Sequence, residues 1–471
     1  MAVYFQEFMT QILLIACYES GHQPLSVAWP AAFLRDAGYR VTTCDLAVEA
    51  LDRDKVCEAD LVGIAVPMHT AMRLGAEAAR TIRRLNKRAH LCFYGLYAWL
   101  NSDYLLAARN GDAPLADSVI AGEYEGPLQR LASTLAERGQ ADAVAGVTTA
   151  SRRRETHMER LSFPVPVRED LPPLDQYARY MSNGSAVPAG YVEASRGCLH
   201  TCRHCPVTPV YKGRFFVTPP ETVLADIRQQ VHAGAQHITF GDPDFLNGPG
   251  HSMRVARELY AEFPGITFDF TTKVEHILEQ RKLLTQLRRL GATFVVSAFE
   301  STSNMVLDRL QKGHTPADMD DALVVLRDAG LAVQPTWMPF TPWTTRYDYL
   351  HLLQWIRERA LTGHVPAVQL SIRMLVPPRS ALLDHADVRE WLGPLDEANF
   401  TYRWRHPDAR MDRLHADVAR LVEAQAGSDS YALFTEVERL AYEAADREMP
   451  LQQAPEVVYP PPPRLTEDWF C

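Results

Sequence analysis

The sequence lacks the features that would place the protein in a membrane, outside the cell or on nucleic acid. No apolar run approaches the roughly 18 residues that a membrane-spanning helix needs. No Lys or Arg precedes Arg35, so the basic segment of a signal or transit peptide is absent. Lys and Arg total 48 against 58 Asp and Glu, a net charge of −10, so no basic field favours nucleic acid. We therefore expect a cytoplasmic protein without membrane or nucleic-acid partners.

Cysteine is scarce, with eight residues in a chain of 471. In a reducing cytoplasm these cysteines are not expected to form disulfides. Four of them are scattered among apolar or mixed neighbours, as core packing residues are: Cys17, Cys44, Cys57 and Cys92. The other four stand apart, because three are clustered and one is the last residue: Cys198, Cys202, Cys205 and Cys471.

The chain has no internal repeat beyond an alternation of short apolar runs with helical patterns. In residues 1–146 this alternation predicts a doubly wound, Rossmann-like α/β domain with a parallel sheet. Its strands are expected at 12–17, 40–44, 61–66, 90–94 and 118–121. Residues 147–188 are polar and Pro-rich, and predict an ordered linker over the surface.

The same alternation resumes after the linker. Residues 189–380 contain six β/α units, which predict a partial (β/α)6 barrel with its catalytic groups at the carboxyl ends of the strands. The strands are expected at 191–195, 237–241, 267–271, 293–299, 332–337 and 367–374. Residues 381–447 predict a helical C-terminal region, and residues 448–471 a Pro-rich tail that ends in Cys.

The clustered cysteines follow the first barrel strand with the spacing C-x3-C-x2-C. Three thiolates on one loop can hold three irons of a four-iron four-sulfur cluster. No fourth cysteine lies nearby, so one iron keeps an open position, as in catalytic metal centres. The alternative is a zinc ion with His200 or His204 as fourth ligand, which would make the chain a non-catalytic metal-binding or sensor protein.

This loop, its place after strand one and the six β/α units resemble the radical S-adenosylmethionine superfamily over residues 190–380. The resemblance implies that Cys198, Cys202 and Cys205 bind a four-iron four-sulfur cluster, whose open iron chelates S-adenosylmethionine. A donor such as flavodoxin or ferredoxin would supply the electron that cleaves a carbon–sulfur bond and gives a carbon radical, which modifies a small-molecule substrate. The residue before the third Cys is usually aromatic, and His204 stands there with an imidazole that can pack over the adenine.

The superfamily's second strand usually ends in a Gly-Gly-Glu-like turn that takes the amino group of the cofactor. Here the corresponding turn contains Gly241, Asp242 and Asp244, and either carboxylate is a candidate acceptor. The alternative is an ordinary turn, since Gly, Pro and Asp are common at strand ends.

Two further strand ends carry candidate cofactor ligands by the same resemblance. Ser297 and Glu300, at the end of strand four, are candidates for the ribose or the carboxylate of the cofactor. Glu300 can instead favour the N-terminus of the next helix. Arg373, at the end of strand six, is a candidate cofactor contact or a surface residue.

An α/β domain before such a barrel is similar to the cobalamin-binding domain of one large radical subclass. The usual mark of that domain is D-x-H-x-x-G after strand one, whose His ligates cobalt. Here residues 19–24 read E-S-G-H-Q-P, so His22 is not assigned as a ligand. Cobalamin bound without a protein ligand, and a degenerate domain that shapes the substrate site, both stay open.

Residues 205–215, 240–249 and 340–345 look like segments of radical enzymes named for a tail of Cys-selenocysteine-Ala-Glu-Pro or Cys-Cys-Ala-Glu-Pro. This sequence stops at Cys471, the first residue of such a tail. We expect the natural protein to continue with selenocysteine, whose codon is otherwise read as stop; a terminus with an incidental Cys is the alternative. Beside selenocysteine, Cys471 would belong to a mobile nucleophilic pair that handles substrate.

Overall fold

The computed structural model describes residues 10–109, 111, 113–425, 429–450 and 462–467. Cys471 lies outside the described residues, so its expected role in a selenocysteine tail stays a prediction. Among the helices in the described ranges, none has the length and apolar character that crossing a membrane demands.

The first part of the chain forms a six-stranded sheet in the order β2-β1-β3-β4-β5-β6. Its strands are β1 (Gln11–Ala16), β2 (Arg40–Asp45), β3 (Leu61–Ala65), β4 (His90–Tyr94), β5 (Ser118–Ile120) and β6 (Val147–Thr148). Its helices are α1 (Leu25–Asp36), α2 (Arg53–Glu58), α3 (His69–Leu85), α4 (Leu96–Leu100), α5 (Ser102–Leu105) and α6 (Glu125–Ala136). The first five strands run parallel and β6 is antiparallel.

Both faces of this sheet are covered, which is why its central strands β1 and β3 are apolar along almost their whole length. One core lies under α1 and α6 and contains Trp29 and Leu128. The other lies under α3 and contains Met72 and Ile82. The domain is doubly wound, as the alternation of apolar runs predicts.

A second, seven-stranded sheet follows in the order β14-β13-β12-β11-β8-β7-β17. Its strands, and the hairpin strands β9 and β10, are β7 (Arg179–Ser182), β8 (Ser185–Val192), β9 (Ser195–Gly197), β10 (Phe215–Val217), β11 (His237–Phe240), β12 (Thr267–Thr271), β13 (Ala292–Glu300), β14 (Ala332–Trp337) and, last in the chain, β17 (Arg464–Leu465). The helices of this part are α7 (Val207–Tyr211), α8 (Pro220–His232), α9 (Pro249–Glu262), α10 (Val274–Glu279), α11 (Arg281–Arg289), α12 (Asn304–Leu310), α13 (Pro316–Ala329) and α14 (Arg346–Glu358).

Five neighbouring strands of this sheet, β8, β11, β12, β13 and β14, run parallel. Helices pack on one side of them around a core that includes Ile227, Phe240, Leu259 and Val295. β7 and β17 extend the sheet antiparallel beyond β8. This barrel-like parallel sheet after a doubly wound domain confirms the predicted α/β fold class.

The strand expected at 367–374 is reduced to a 3-10 helix, Ala367–Ser371, and a single parallel bridge between Phe340 and Arg373. The side chain of Gln369 accepts a hydrogen bond of 2.8 Å from the N–H of Trp337, at the edge of β14. A side chain thus satisfies an edge amide where a sixth strand would have paired.

The C-terminal region contains an antiparallel hairpin that the helical pattern does not predict. It consists of β15 (Leu392–Asp396) and β16 (Thr401–Trp404). The helices around it are α15 (Val388–Trp391), α16 (Ala409–Ala424) and α17 (Ser430–Ala444). Buried residues of α16 and α17, such as Leu414 and Val437, join the barrel core, so this region completes the second domain.

Candidate active site

The clustered cysteines lie on a loop that a short antiparallel pairing closes. β9 precedes the loop and β10, which pairs with β9, follows it. The N–H of Cys198 donates to the carbonyl of Arg214 at 3.0 Å. Gly197 has a φ of +77°, and a Cβ there would lie 2.4 Å from the Arg214 carbonyl oxygen, so only glycine fits. The sequence thereby fixes the start of the loop before any ligand binds.

The three thiols are shielded from solvent but are not drawn together around one point. Cys198 and Cys202 are buried and Cys205 is half-buried. Among the described residues, their sulfur atoms do not form a set that lies within 4.8 Å of one another. Zinc–sulfur bonds of about 2.3 Å would bring tetrahedral thiolates to about 3.8 Å. The three sulfur atoms are therefore not placed as a single tetrahedral zinc ion would hold them.

The two histidines of the loop turn toward carboxylates. Nε2 of His204 lies 3.2 Å from Oε1 of Glu300. Nδ1 of His200 lies 3.5 Å from Oε2 of Glu275, and its Nε2 lies 3.9 Å from Oδ2 of Asp244. Because both imidazoles face carboxylates, the arrangement disfavours a zinc site of three Cys and one His.

Glu300, at the end of β13, is held ionised by Lys312 and by its contact with His204. Lys312 donates from Nζ to Oε1 at 3.3 Å, and His204 approaches the same oxygen. Burial alone would raise the pKa of Glu300, but Lys312 and His204 outweigh it and lower the pKa to about 2. Glu300 also has a φ of +64°, which costs a non-glycine residue about 1–2 kcal/mol. Such strain is found preferentially at functional sites.

Lys312 is a functional candidate that the sequence did not reveal. It is almost completely buried, and the thiols of Cys202 and Cys205 contribute to its electrostatic surroundings. Burial opposes its charge, yet Glu300 and these two thiols raise the pKa of Lys312. The residue follows α12 in a loop without a motif, so no local pattern marks it. Its charge can compensate thiolates bound to a metal cluster.

The two aspartates after β11 are both engaged with protein groups. Asp242 accepts from the N–H of Ala194 at 2.9 Å and from the hydroxyl of Ser195 at 2.5 Å. Burial raises the pKa of Asp242 to about 7. Asp242 therefore ties the connection between β8 and β9 to the second barrel strand.

Asp244 is fully buried and anchors the ends of two strands. Its oxygens accept from the hydroxyl of Thr272 at 2.7 Å and from Nδ1 of His276 at 2.8 Å. The N–H groups of Leu246 and Lys273 complete the set. Both aspartates thus lie at the predicted strand end, where they accept hydrogen bonds that hold neighbouring segments together.

Three other predicted site residues, Gly241, Ser297 and Arg373, have contacts of their own. A Cβ on Gly241 would lie 2.0 Å from the hydroxyl oxygen of Tyr191, so this glycine makes room for a tyrosine of β8. Ser297 lies on the same face of β13 as Val295, which packs against the helices, and its buried hydroxyl has no partner among the described residues. Arg373 stacks over Trp404 at 3.6 Å from the ring centroid, within the C-terminal region.

Unpartnered polar atoms border the cysteine loop within the described part of the chain. Oδ1 of Asn247 accepts from the N–H of Leu199 at 3.3 Å, while its Nδ2 is buried without a hydrogen bond. Nδ1 of His204 is likewise buried and unpartnered. Such atoms are costly unless a ligand or water satisfies them, so they fit a bound polar cofactor.

The loop after β1 packs directly on the barrel. His22 is buried and stacks on Tyr191 of β8, with ring centroids 4.5 Å apart. Burial lowers the pKa of His22 to about 4. Its side chain is committed to the domain contact, in agreement with the view that it does not serve as a cobalt ligand.

The carboxyl end of the first sheet meets the barrel through buried ion pairs. Arg196 of β9 lies 2.6 Å from Glu125 and 3.6 Å from Glu123. The guanidinium carbon also lies 4.5 Å from the centroid of the Trp29 ring. Tyr211 of α7 donates to Glu123 at 2.8 Å. The first domain thus contacts the residues on both sides of the cysteine loop, through Arg196 and Tyr211.

Comparisons with known proteins agree with this reading. Residues 192–346, which include the cysteine loop and strands β9–β14, match the model of the radical SAM superfamily. The match confirms the resemblance drawn from the cysteine spacing and implies a four-iron four-sulfur cluster and S-adenosylmethionine as cofactors.

Two curated relatives are distant and longer than the matched region. The hopanoid C-3 methylase of Methylococcus capsulatus is 24% identical over 342 residues, 71% of this chain and 64% of that protein. The anaerobic magnesium-protoporphyrin IX monomethyl ester cyclase of Synechocystis is 24% identical over 236 residues, 48% of this chain and 45% of that protein. The chain therefore spans less than two thirds of either relative.

Two solved structures share the fold across most of the chain. OxsB, a cobalamin-dependent radical enzyme solved with aqua-cobalamin and S-adenosylmethionine, has a TM-score of 0.72 at 15% identity, over 93% of this chain and 72% of that one. TsrM from Kitasatospora setae, a radical S-adenosylmethionine methyltransferase solved with cobalamin and a [4Fe-4S] cluster, has a TM-score of 0.60 at 15% identity, over 93% and 100%. At this identity the likeness concerns the fold.

Proposed function

We propose that this chain, a radical SAM enzyme, cleaves S-adenosylmethionine reductively and uses the resulting carbon radical to modify a small-molecule substrate. In this proposal Cys198, Cys202 and Cys205 hold the four-iron four-sulfur cluster. The observation that carries the proposal is the placement of their loop at the end of β8, beside the buried pair of Glu300 and Lys312. When bound, the cluster and S-adenosylmethionine supply the electron and the carbon radical.

The residues around the loop have distinct parts in this proposal. Lys312 offsets the negative charge of the thiolates that bind iron. Glu300, kept ionised by Lys312 and His204, accepts hydrogen bonds from hydroxyl or amino groups of the cofactor. The unpartnered Nδ1 of His204 faces the cofactor, and its ring lies where an aromatic residue usually packs on adenine.

In this proposal the turn after β11 positions the strand ends around the cofactor and takes no part in the reaction. Asp242 and Asp244 hold the strand ends that frame the cofactor, and Gly241 lets Tyr191 close the barrel beside them. Ser297 and Arg373 remain weaker candidates, because strand alternation turns Ser297 toward the helices and the guanidinium of Arg373 is stacked on Trp404.

Cobalamin is a candidate second cofactor of the N-terminal domain, supported by the fold shared with OxsB and TsrM. The stacking of His22 on Tyr191 means that cobalamin would bind without a histidine from this loop. Visible spectra recorded during equilibrium binding test this point. The absence of binding even at high micromolar cobalamin would leave a degenerate domain that shapes the substrate site.

The experiment for the main proposal is anaerobic reconstitution with iron and sulfide, followed by reduction in the presence of S-adenosylmethionine. We expect a brown protein with about four irons per chain. Mass spectrometry of the fragments will show which carbon–sulfur bond is broken. The proposal also needs a low-potential donor in the cytoplasm, such as flavodoxin or ferredoxin, which should replace the chemical reductant.

Single cysteine variants give the matched test. Cys198→Ala, Cys202→Ala and Cys205→Ala should lose the cluster and cleavage together. Cys57→Ala, which removes an exposed thiol of the N-terminal domain, should keep both. A colourless protein with one zinc ion per chain, or cleavage that survives loss of the clustered cysteines, would contradict the proposal.

A further inference from the structure

A second group of metal-binding side chains lies beside the cysteine loop. His200 comes from that loop, Asp244 from the end of β11, and His276 from the start of α10. One ligand atom from each lies within 4.8 Å of the other two. Oδ2 of Asp244 is 2.8 Å from Nδ1 of His276 and 3.9 Å from Nε2 of His200. Tetrahedral bonds of about 2.0–2.2 Å would place two donors about 3.3–3.6 Å apart, which lies between these two separations.

Neighbouring groups orient His200 and Asp244 in the way that metal ligands are usually oriented, by contacts to their second polar atoms. A ligating histidine generally donates its second ring N–H to a carboxylate, and Nδ1 of His200 lies 3.5 Å from Oε2 of Glu275. Nε2 of His200 is buried without a hydrogen-bond partner among the described residues. Ligating carboxylates are themselves hydrogen-bonded, as Asp244 is by Thr272 and two backbone N–H groups.

The charges at this site suit a cation. Asp244 and Glu275 bring two negative charges, and Lys273, which pairs with Glu275, brings one positive charge. With neutral imidazoles the group carries a net negative charge. Two nitrogens and one carboxylate oxygen are a donor set for zinc, iron(II), cobalt or manganese.

We propose that His200, Asp244 and His276 bind one divalent transition-metal ion, separate from the four-iron cluster and with at least one open coordination position. In the metal-free chain, the hydrogen bond between Asp244 and His276 occupies part of this site, and the ion replaces its proton. Three protein ligands leave room for a further donor, which is the pattern of catalytic metal sites. The side chain of His200 is 22% exposed, so the site lies close to the surface of the protein.

The position gives the site a use in the proposed radical chemistry, and this part rests on the proposed function. His200 lies between Cys198 and Cys202 in the sequence. An ion bound there would hold a substrate through a thiolate, carboxylate or other oxygen donor next to the place where the radical forms. The substrate class is then a small molecule with a metal-binding group.

The test measures metal binding directly, apart from turnover. The full chain is reconstituted with iron and sulfide, incubated with Zn²⁺, and dialysed, and iron and zinc are counted by mass spectrometry. We expect one zinc per chain in addition to the cluster iron. His200→Gln and His276→Gln should weaken zinc binding at least tenfold with unchanged iron. His232→Gln, at an exposed histidine of α8, should bind zinc like the parent.

A second sample separates this site from the cysteines. In the Cys198→Ala, Cys202→Ala, Cys205→Ala triple variant, added Co²⁺ should give visible ligand-field absorption without a thiolate charge-transfer band. Cobalt bound only when the cysteines are present would overturn the proposal, as would zinc that is absent or unaffected by the two histidine variants. Iron and cleavage report on the radical function, whereas zinc reports on this site, so the two proposals fail separately.

Discussion

The carboxyl ends of two parallel sheets carry buried charges, and the charges have different surroundings. At the end of the first sheet, Glu123 and Glu125 meet Arg196, which is packed among aromatic rings. At the end of the second sheet, Glu300 pairs with Lys312 and contacts His204 of the cysteine loop. The first group joins two domains and the second borders the cysteine loop. Buried charge alone does not identify a site, because its neighbours decide what it can do.

The carboxylates at the two sheet ends have different pKa values because the number of cations near each carboxylate differs. Burial raises the pKa of Glu123 to about 7, since Arg196 is shared with Glu125 and Glu193. The pKa of Glu300 is lowered to about 2 because Lys312 and His204 both interact with its carboxylate. One cation among three carboxylates leaves some of their burial cost uncompensated, whereas a lysine and a histidine that both contact one carboxylate keep it ionised.

Removal of the shared cation should have the largest effect on stability. Arg196→Met leaves buried carboxylates without a partner and should cost about 3–5 kcal/mol of unfolding free energy. The cost should be larger at pH 8 than at pH 5.5, because protonation relieves carboxylates whose folded pKa is raised. Urea unfolding at both pH values measures it.

Arg254→Met is the matched control, since Arg254 forms exposed ion pairs with Glu221 and Glu258. Its cost should stay below about 1 kcal/mol. Equal losses for the two variants would break the contrast between a shared buried cation and a surface one.

The next effect concerns the contact between His22 and Tyr191. The folded pKa of His22 is about 4 and the unfolded value about 6.5, so the unfolded chain binds more protons between these values. Stability should therefore fall as the pH falls from about 6.5 to about 4, by up to about 3 kcal/mol. His22→Phe, which keeps a ring on Tyr191, should remove this loss, as urea unfolding across that pH range would reveal. His232→Gln should retain it.

At the second sheet, Lys312→Met should weaken cofactor binding, and its cost in stability should be smaller than that of Arg196→Met because His204 still contacts Glu300. Without Lys312 the pKa of Glu300 rises, because burial is then opposed by His204 alone. We expect S-adenosylmethionine binding to weaken about tenfold to a hundredfold, about 1.4–2.8 kcal/mol, with cluster iron retained. Equilibrium dialysis against pH should show a new acid-range titration that the parent lacks.

Lys212→Met, at an exposed lysine near the same loop, provides the control and should bind the cofactor like the parent. A Lys312→Met variant that binds normally with an unchanged pH profile would place Lys312 with the structural charges of the first sheet.

The smallest effect is expected at the back of the cysteine loop. Tyr211→Phe removes the hydrogen bond to Glu123 and should cost about 1.5 kcal/mol in urea unfolding. The cost should grow from pH 6 to pH 8, as Glu123 becomes ionised. Tyr260→Phe, at an exposed tyrosine, should change nothing measurable. Loss of cleavage by Tyr211→Phe with full stability would give the first domain a direct part in the chemistry.

Local patterns predicted much of this molecule. The runs at 12–17, 61–66 and 90–94 became β1, β3 and β4, because strands covered on both faces are apolar throughout. The cysteine spacing was readable because its three members share one loop. Local patterns did not predict the hairpin of β15 and β16 or the contact of Gln369 with the edge of β14, because a tertiary contact determines each of them.

The partners of the site residues needed the fold. Lys312 meets Glu300 across a whole helix, and His276 meets Asp244 from another strand end. Neither pair has a spacing that sequence periodicity records. The position of Ser297 relative to Glu300 depended on alternation and on the irregular register near the end of β13.

The hairpin of β9 and β10 bears on the order of assembly. Both ends of the cysteine loop are fixed by backbone pairing and by the contact of Cys198 with Arg214, none of which involves a thiol. A zinc finger, by contrast, must bind its metal to fold. We therefore expect this loop to form without the cluster and to receive a preassembled one after folding. Amides flanking the cysteines should accordingly resist hydrogen exchange in the iron-free protein.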